Sequence, residues 1–311
     1  MEYHELSVTE AAQQIRSGKI SPVALMDALL LRIEQLDPKF HAWVSLDREA
    51  VRDEAKRSLK LLEDGSQTGT LHGVPIGLKD IFYTAGTKTT ACSSRYADFV
   101  PKYDATCVSR LKDAGAIMMG KLVTTPYAAS DPSPTLNPWD TDRTPGGSSS
   151  GSAVAVSTGM CPAALGSQTV GSTLRPAAYN GIVGLKPTFG RISLHGVIPL
   201  GWTLDTVGIL TRTVSDAELL LRAMSGYDAS DPVSAANSVG PVEQFKYQSF
   251  SPRIGVVEEF FFQHSDQETK SHMNLVVNKL SDAGARITRN LFSETDLEDL
   301  HHATTTTFNV D

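Results

Sequence analysis

Residues 144–188 read TPGGSSSGSAVAVSTGMCPAALGSQTVGSTLRPAAYNGIVGLKPT, and their character decides how the rest of the chain is read. The first 31 of these residues, 144–174, carry no charge and hold six glycines and seven serines. Glycine and proline interrupt them too often for a membrane span. Their apolar clusters, Ala153 to Val156 and Ala163 to Leu165, are too dense for a flexible Gly/Ser linker. An uncharged segment rich in hydroxyls and glycines is a candidate for serine-based nucleophilic chemistry, and composition alone singles out none of its serines.

Upstream, Ser7, Val8, Thr9 and Glu10 form a capping box that starts a helix running to about Ser17 and Gly18. Ser21 before Pro22 starts a second helix, with Val23, Met26, Leu29, Leu30 and Ile33 at helical spacing and Asp37-Pro38 as its stop. A third helix is expected over 48–63, ending at Gly65. Beyond Gly65 the pattern changes. Residues 73–78 predict a buried strand leading into Lys79. Residues 107–114 predict a helix closed by Gly115, and 116–119 another buried strand. A helix over 152–158, a strand over 253–257, a helix over 266–283 closed by Gly284 and a strand from 285–287 follow. Strands alternating with helices predict an α/β fold. The stretch 228–242, rich in Ser, Asp and Pro, is expected to be a surface connection. A last helix is expected to begin near Thr295. Four threonines at 304–307 and the end at Asp311 carry no terminating signal, so the C-terminal part of the fold is expected to be absent.

With 311 residues, 41% hydrophobic and 20% charged, the composition is that of a soluble globular protein. A net charge of −7 with scattered basic residues argues against a nucleic-acid partner. Three cysteines are too few for a disulfide scaffold or zinc site, and the N-terminus is no signal peptide, so a cytoplasmic location is expected. The eight histidines fall in no metal-ligand spacing, and neither metal nor membrane association is expected.

Each candidate for chemistry has an ordinary alternative. Lys79 at a strand end is either a lysine newly emerged at the surface or a desolvated base with a free lone pair. Residues 147–151, Gly-Ser-Ser-Ser-Gly, centre a G-x-S-x-G pattern on Ser149, but 137–145 before it is loop, and a nucleophile elbow needs a strand there. No lysine follows the glycines, which excludes a phosphate loop. The run 166–172, Gly-Ser-Gln-Thr-Val-Gly-Ser, is either a tight loop between core elements or a row of backbone amides suited to an oxyanion. No residue marks a partner Asp for a Ser-His-Asp triad.

Taken together, residues 73–80 (GVPIGLKD), 146–152 (GGSSSGS), Gly171-Ser172, 176–178 (PAA) and 181–188 (GIVGLKPT) resemble the amidase signature family of serine hydrolases. The likeness runs from about residue 6 to 224. It implies a three-layer α/β/α sandwich around a mixed sheet, with an N-terminal helical segment over 1–65 and the signature core over 66–311. Family members usually continue well past the point where this chain stops. The resemblance also implies a Ser-cisSer-Lys triad: Ser172 as nucleophile, Ser148 as the bridging serine after a cis peptide bond from Gly147, and Lys79 as base. The backbone N–H groups of Thr169, Val170 and Gly171 would hold the oxyanion. The implied activity is hydrolysis of a small-molecule amide through an acyl-enzyme, without cofactor or metal; a homodimer is left open. An inactive fragment, or a binding subunit of a larger assembly, is the alternative. An amide-transferring subunit feeding ammonia to aminoacyl-tRNA is a lesser expectation.

The absence of charge over 144–174 fits a neutral Lys79, because a nearby carboxylate would raise its pKa. Two departures stand out. Gln168 and Leu174 replace the family's common Asp and Arg. Losing both together leaves no uncompensated charge, and Arg175 sits one place later. Val170 replaces a glycine or small residue, which would narrow the acyl pocket or strain the loop if a positive φ is needed.

Overall fold

The N-terminal helices form where their caps are. The Ser7 hydroxyl accepts the Glu10 amide while the Glu10 carboxylate takes the Ser7 amide, opening α1 (Val8–Arg16). Helix α2 (Pro22–Phe40) starts on Ser21 but does not stop at Pro38. Proline in a last turn forfeits little backbone bonding. The chain leaves the helix at His41, with φ 53°, while the Asp37 carboxylate takes the amides of Ala42 and Trp43 at 2.7 and 3.2 Å. Asp47 caps α3 (Arg48–Glu63).

The computed structural model describes residues 2–66, 68–235, 251–289 and 292–310, in two units, Met1–Val242 and Glu243–Asp311. The first unit is an α/β fold around a mixed six-stranded sheet of order β1-β3-β2-β4-β6-β5. The strands are β1 (Trp43–Ser45), β2 (Pro75–Lys79), β3 (Ile117–Leu122), β4 (Ala163–Gln168), β5 (Val183–Leu185) and β6 (Thr206–Thr211). Strand β2 lies parallel to β3 and β4; the β1–β3, β4–β6 and β5–β6 pairs are antiparallel. Every residue of β2, β4 and β6 is buried. Helices α4 (Thr106–Asp113), α5 (Ser150–Ser157), α6 (Leu174–Asn180) and α7 (Val214–Met224) complete this unit, and α5 packs against β2, β3, β4 and β6.

Because β2 and β4 are parallel neighbours, Lys79 and the Ser167-Gln168 end of β4 leave the sheet on the same side, where open α/β sheets place their ligands. Two glycines allow the close approaches this needs. A Cβ on Gly151 would overlap the Ala42 carbonyl and the Val123 amide, and one on Gly208 would overlap the Thr173 side chain.

Residues 228–235 form the expected connection without regular structure, with Ala229, Ser230 and Pro232 exposed. Asp231 is buried and takes the Leu194 amide, and Asp228 takes the hydroxyls of Thr106 and Ser193. Short carboxylates that bind backbone and hydroxyl groups anchor the segment inward. Residues 236–242 lie outside the described residues. In the second unit, β7 (Arg253–Gly255) and β8 (Arg286–Thr288) pair in parallel around α8 (Gln267–Asp282), followed by α9 (Glu294–Val310). Among the described residues no helix is long and apolar enough to cross a membrane.

Candidate active site

Lys79 ends β2 fully buried, so it is not a lysine that has just reached the surface. Burial pushes its ammonium down from the ordinary lysine range to about 7. Asp205 and Cys92 act in the opposite sense. The carboxylate that opposes the shift therefore comes from outside the uncharged run. The Lys79 Nζ lies 2.7 Å from both Ser148 Oγ and Ser167 Oγ. A neutral amine has two N–H donors and one lone pair. With an N–H donated to Ser167, the lone pair is free to accept the Ser148 proton.

Ser148 follows a cis peptide bond from Gly147. Its carbonyl accepts the Thr125 amide at 3.2 Å, and the next amide, of Ser149, donates to the Ser172 carbonyl at 3.3 Å. The structure therefore brings Lys79, Ser148 and Ser172 together, the first two through their side chains and the last through the adjoining backbone. Ser172 is buried in the turn that opens into α6. The N–H groups of Thr169, Val170 and Gly171 just before it donate to no protein group among the described residues, leaving them available to an oxyanion. Val170 has no left-handed φ, so the loop is not strained there, and its side chain is more than half exposed.

Gln168 stands at the position of the family's common Asp and is fully bonded as a neutral side chain. Its Oε1 accepts the amides of Thr173 and Leu174 at 3.1 and 3.0 Å, while its Nε2 donates to the Val170 carbonyl at 3.0 Å. One neutral side chain thus caps α6 and ties the loop across itself, and Leu174 turns out to solvent. A carboxylate would accept the same two amides but could not donate to Val170. Gln168→Ala should therefore cost about 1–2 kcal/mol in urea unfolding, as the loss of a cap does.

The remaining serines are structural. Ser149 Oγ donates to the Ser167 carbonyl and accepts the Ser167 amide, and Ser152 Oγ donates to the Leu165 carbonyl. Three groups at the site have no role in the sequence reading. Ser167, the second partner of Lys79, sits in an ordinary glycine-flanked strand. Asp205 takes the Thr169 hydroxyl. Asp80, whose carboxyl is raised by burial, takes the Thr90 amide and hydroxyl and the Cys92 amide. It thereby holds Ala91 and Cys92 at φ 49° and 50°. Burial pushes the Cys92 thiol up to about 11. A second buried lysine, Lys121, is pushed down to about 8 by burial; its Nζ donates to the Phe82 carbonyl. Among the described residues no cluster of three or more His, Cys, Asp or Glu could hold a metal ion.

A family model, Amidase, matches residues 24–307. A glutamyl-tRNA(Gln) amidotransferase subunit from Roseiflexus sp. (strain RS-1) is 38% identical over 294 residues, covering 91% of this chain and 60% of its own length. The protein of the same name from Carboxydothermus hydrogenoformans (strain ATCC BAA-161 / DSM 6008 / Z-2901) is 39% identical over 292 residues, covering 92% and 60%. Among solved structures, native peptide amidase from Stenotrophomonas maltophilia matches with a TM-score of 0.83 at 33% identity, over 92% of this chain and 62% of that one. The chain thus spans about 60% of the length of the curated relatives it matches.

Proposed function

The chain belongs to the amidase signature family, and from that premise we propose that it hydrolyses the C–N bond of small amides through an acyl-enzyme formed on Ser172. The observation that carries the proposal is the buried 2.7 Å bond between Lys79 Nζ and Ser148 Oγ, one residue from the Ser149–Ser172 backbone bond. Ser172 Oγ attacks the amide carbonyl carbon. Its proton passes to Ser148 Oγ as the Ser148 proton passes to the Lys79 lone pair. The oxyanion sits on the amides of Thr169, Val170 and Gly171. When the tetrahedral intermediate collapses, the C–N bond breaks and the Lys79 proton returns through Ser148 to the leaving amine. Water, deprotonated by the same relay, then attacks the acyl carbon; the acyl C–O bond breaks, and the Lys79 proton returns through Ser148 to Ser172 Oγ as the acid leaves.

Arg175 supports a narrower substrate class within this proposal. Its Nε and Nη2 both donate to the Gly147 carbonyl, at 3.1 and 2.9 Å. Its guanidinium carbon would lie 3.9 Å from a Cβ on Gly171, and the side chain is exposed. A cation beside the nucleophile suits amides that carry a carboxylate near the scissile bond. Ammonia release should be measured for matched amides with and without such a carboxylate. Arg175→Gln should raise KM about tenfold or more for the carboxylated amides alone, because one charge-assisted contact is lost. A folded chain that releases no ammonia from any amide overturns the hydrolase proposal.

The curated relatives favour a second reading, in which the chain is the amide-transferring subunit of an aminoacyl-tRNA amidotransferase. The same Ser172 chemistry would then act on glutamine, with the ammonia passing to a partner's active site. Ammonia release from glutamine that depends on an added partner, with no turnover of other amides, distinguishes this reading.

A further inference from the structure

Asp205 lies just before β6, where Thr206 pairs with Gln168 and Val207 with Ser167 across the β4–β6 ladder. That register sets it against the end of the strand carrying Ser167, the second hydrogen-bond partner of Lys79. Its carboxylate is 8% exposed and fully engaged. Oδ1 accepts the Thr169 hydroxyl, and Oδ2 accepts the amides of Leu200 and Gly201 at 2.8 and 3.1 Å. One buried charge therefore joins the first residue of the loop before Ser172 to the turn leading into β6. It also lines a cavity of about 200 Å³, with Leu194, Val197, Pro199 and Trp202 among the walls. A carboxylate supplies three acceptor contacts on two oxygens here; a neutral amide or hydroxyl has one acceptor oxygen and could not supply all three.

We propose that Asp205 is a positioning residue for the reaction, acting through two groups at once. It holds Thr169 so that the amides of residues 169–171 face the oxyanion, and the β4–β6 register brings its carboxylate to the end of the strand whose Ser167 bonds the Lys79 amine. The second role rests on the Ser172 mechanism proposed above. Asp205 and Cys92 are the charged or titratable groups acting on Lys79, and Ser148 and Ser167 are its hydroxyl partners. Cys92 is held as a thiol at ordinary pH, pushed up to about 11 by burial. The Asp80 carboxylate is turned to Thr90 and Cys92, with Lys121 acting on it. The Asp205 carboxylate thus opposes the burial that pushes the Lys79 ammonium down.

The two roles separate in two variants. Asp205→Asn removes the charge and keeps one of the two acceptor oxygens. It should lower kcat and move the acid limb of the kcat/KM profile to lower pH by about 0.5 unit or more, as loss of a neighbouring opposite charge does. Thr169→Val removes the tether and keeps the charge. It should lower kcat on the order of tenfold while leaving the acid limb in place. An Asp205→Asn limb at the wild-type pH overturns the electrostatic role. A Thr169→Val kcat within about twofold of wild type overturns the tether, and it does so even if Asp205→Asn does not fold. Both readings require wild-type turnover that Ser172→Ala abolishes. If turnover survives in Ser172→Ala, the underlying mechanism has failed rather than the role of Asp205.

Discussion

Ser172→Ala should lower amide turnover on the order of 10⁴-fold or more and abolish labelling by a fluorophosphonate probe. The effect is this large because the substitution deletes the atom that forms the acyl bond, and no neighbouring hydroxyl is placed to replace it. Ser148 Oγ is committed to Lys79. Ser149 Oγ is closed in both directions on the Ser167 backbone. Ser152 is closed on Leu165. The variant should melt cooperatively, because it leaves the Gln168 bonds that organise the loop untouched. Ser149→Ala provides the contrast. It removes a buried strand-end contact, costing about 1 kcal/mol of stability, and keeps covalent labelling. Mass spectrometry of the labelled peptide decides between the two serines. An adduct on Ser149, or Ser172→Ala turnover within about tenfold of wild type, rules out Ser172 as nucleophile.

The local signals in the sequence reached the elements they control and stopped there. Helix α3 forms over Arg48–Glu63 as the spacing predicts, because its cap and the following Gly65 act within a few residues. Proline at 38 misled because a proline in a last turn breaks little. Strands β4 and β6 had no pattern to find. Both are buried on two faces, so AALGSQ and TVGILT show no alternation, and the glycines look like turn residues. The site divides the same way. The family resemblance placed Lys79, Ser148 and Ser172. Ser167 and Asp205 join them only through strand register, since β4 beside β2 puts Ser167 under Lys79 and β6 beside β4 brings Asp205 to Thr169. No spacing in the chain encodes those two pairings. Gln168 in place of the common Asp was legible as a departure, but its three-way bonding depends on a loop shape that the sequence pattern does not specify.

Lys79→Met should remove catalysis and a pH dependence of folding together. Loss of a general base lowers kcat about 10²–10⁴-fold, and the limb of the profile near pH 7 should disappear with it. Holding an amine at about 7 in the folded chain against 10.5 unfolded costs roughly 5 kcal/mol at low pH, at ~1.4 kcal/mol per unit. The unfolded chain binds the extra proton between those two values. Stability therefore rises with pH across that window, and the cost stays in full below pH 7. Between pH 7 and 9 this lysine alone should add about 2 kcal/mol to wild-type stability, and the methionine variant should lack that gain. Lys121, pushed down to about 8, titrates in both proteins and cancels in the difference. The variant leaves the Ser148 and Ser167 hydroxyls each short of a partner, at about 1 kcal/mol apiece, but that loss does not vary with pH. Urea unfolding of both proteins at pH 7 and pH 9 reads the difference. Equal pH slopes would mean that Lys79 is not held neutral by burial, and the relay through Ser148 would then have no base to drive it. The burial that makes Lys79 expensive to fold is also what frees its lone pair, so a chain that lost the penalty should also lose the reaction.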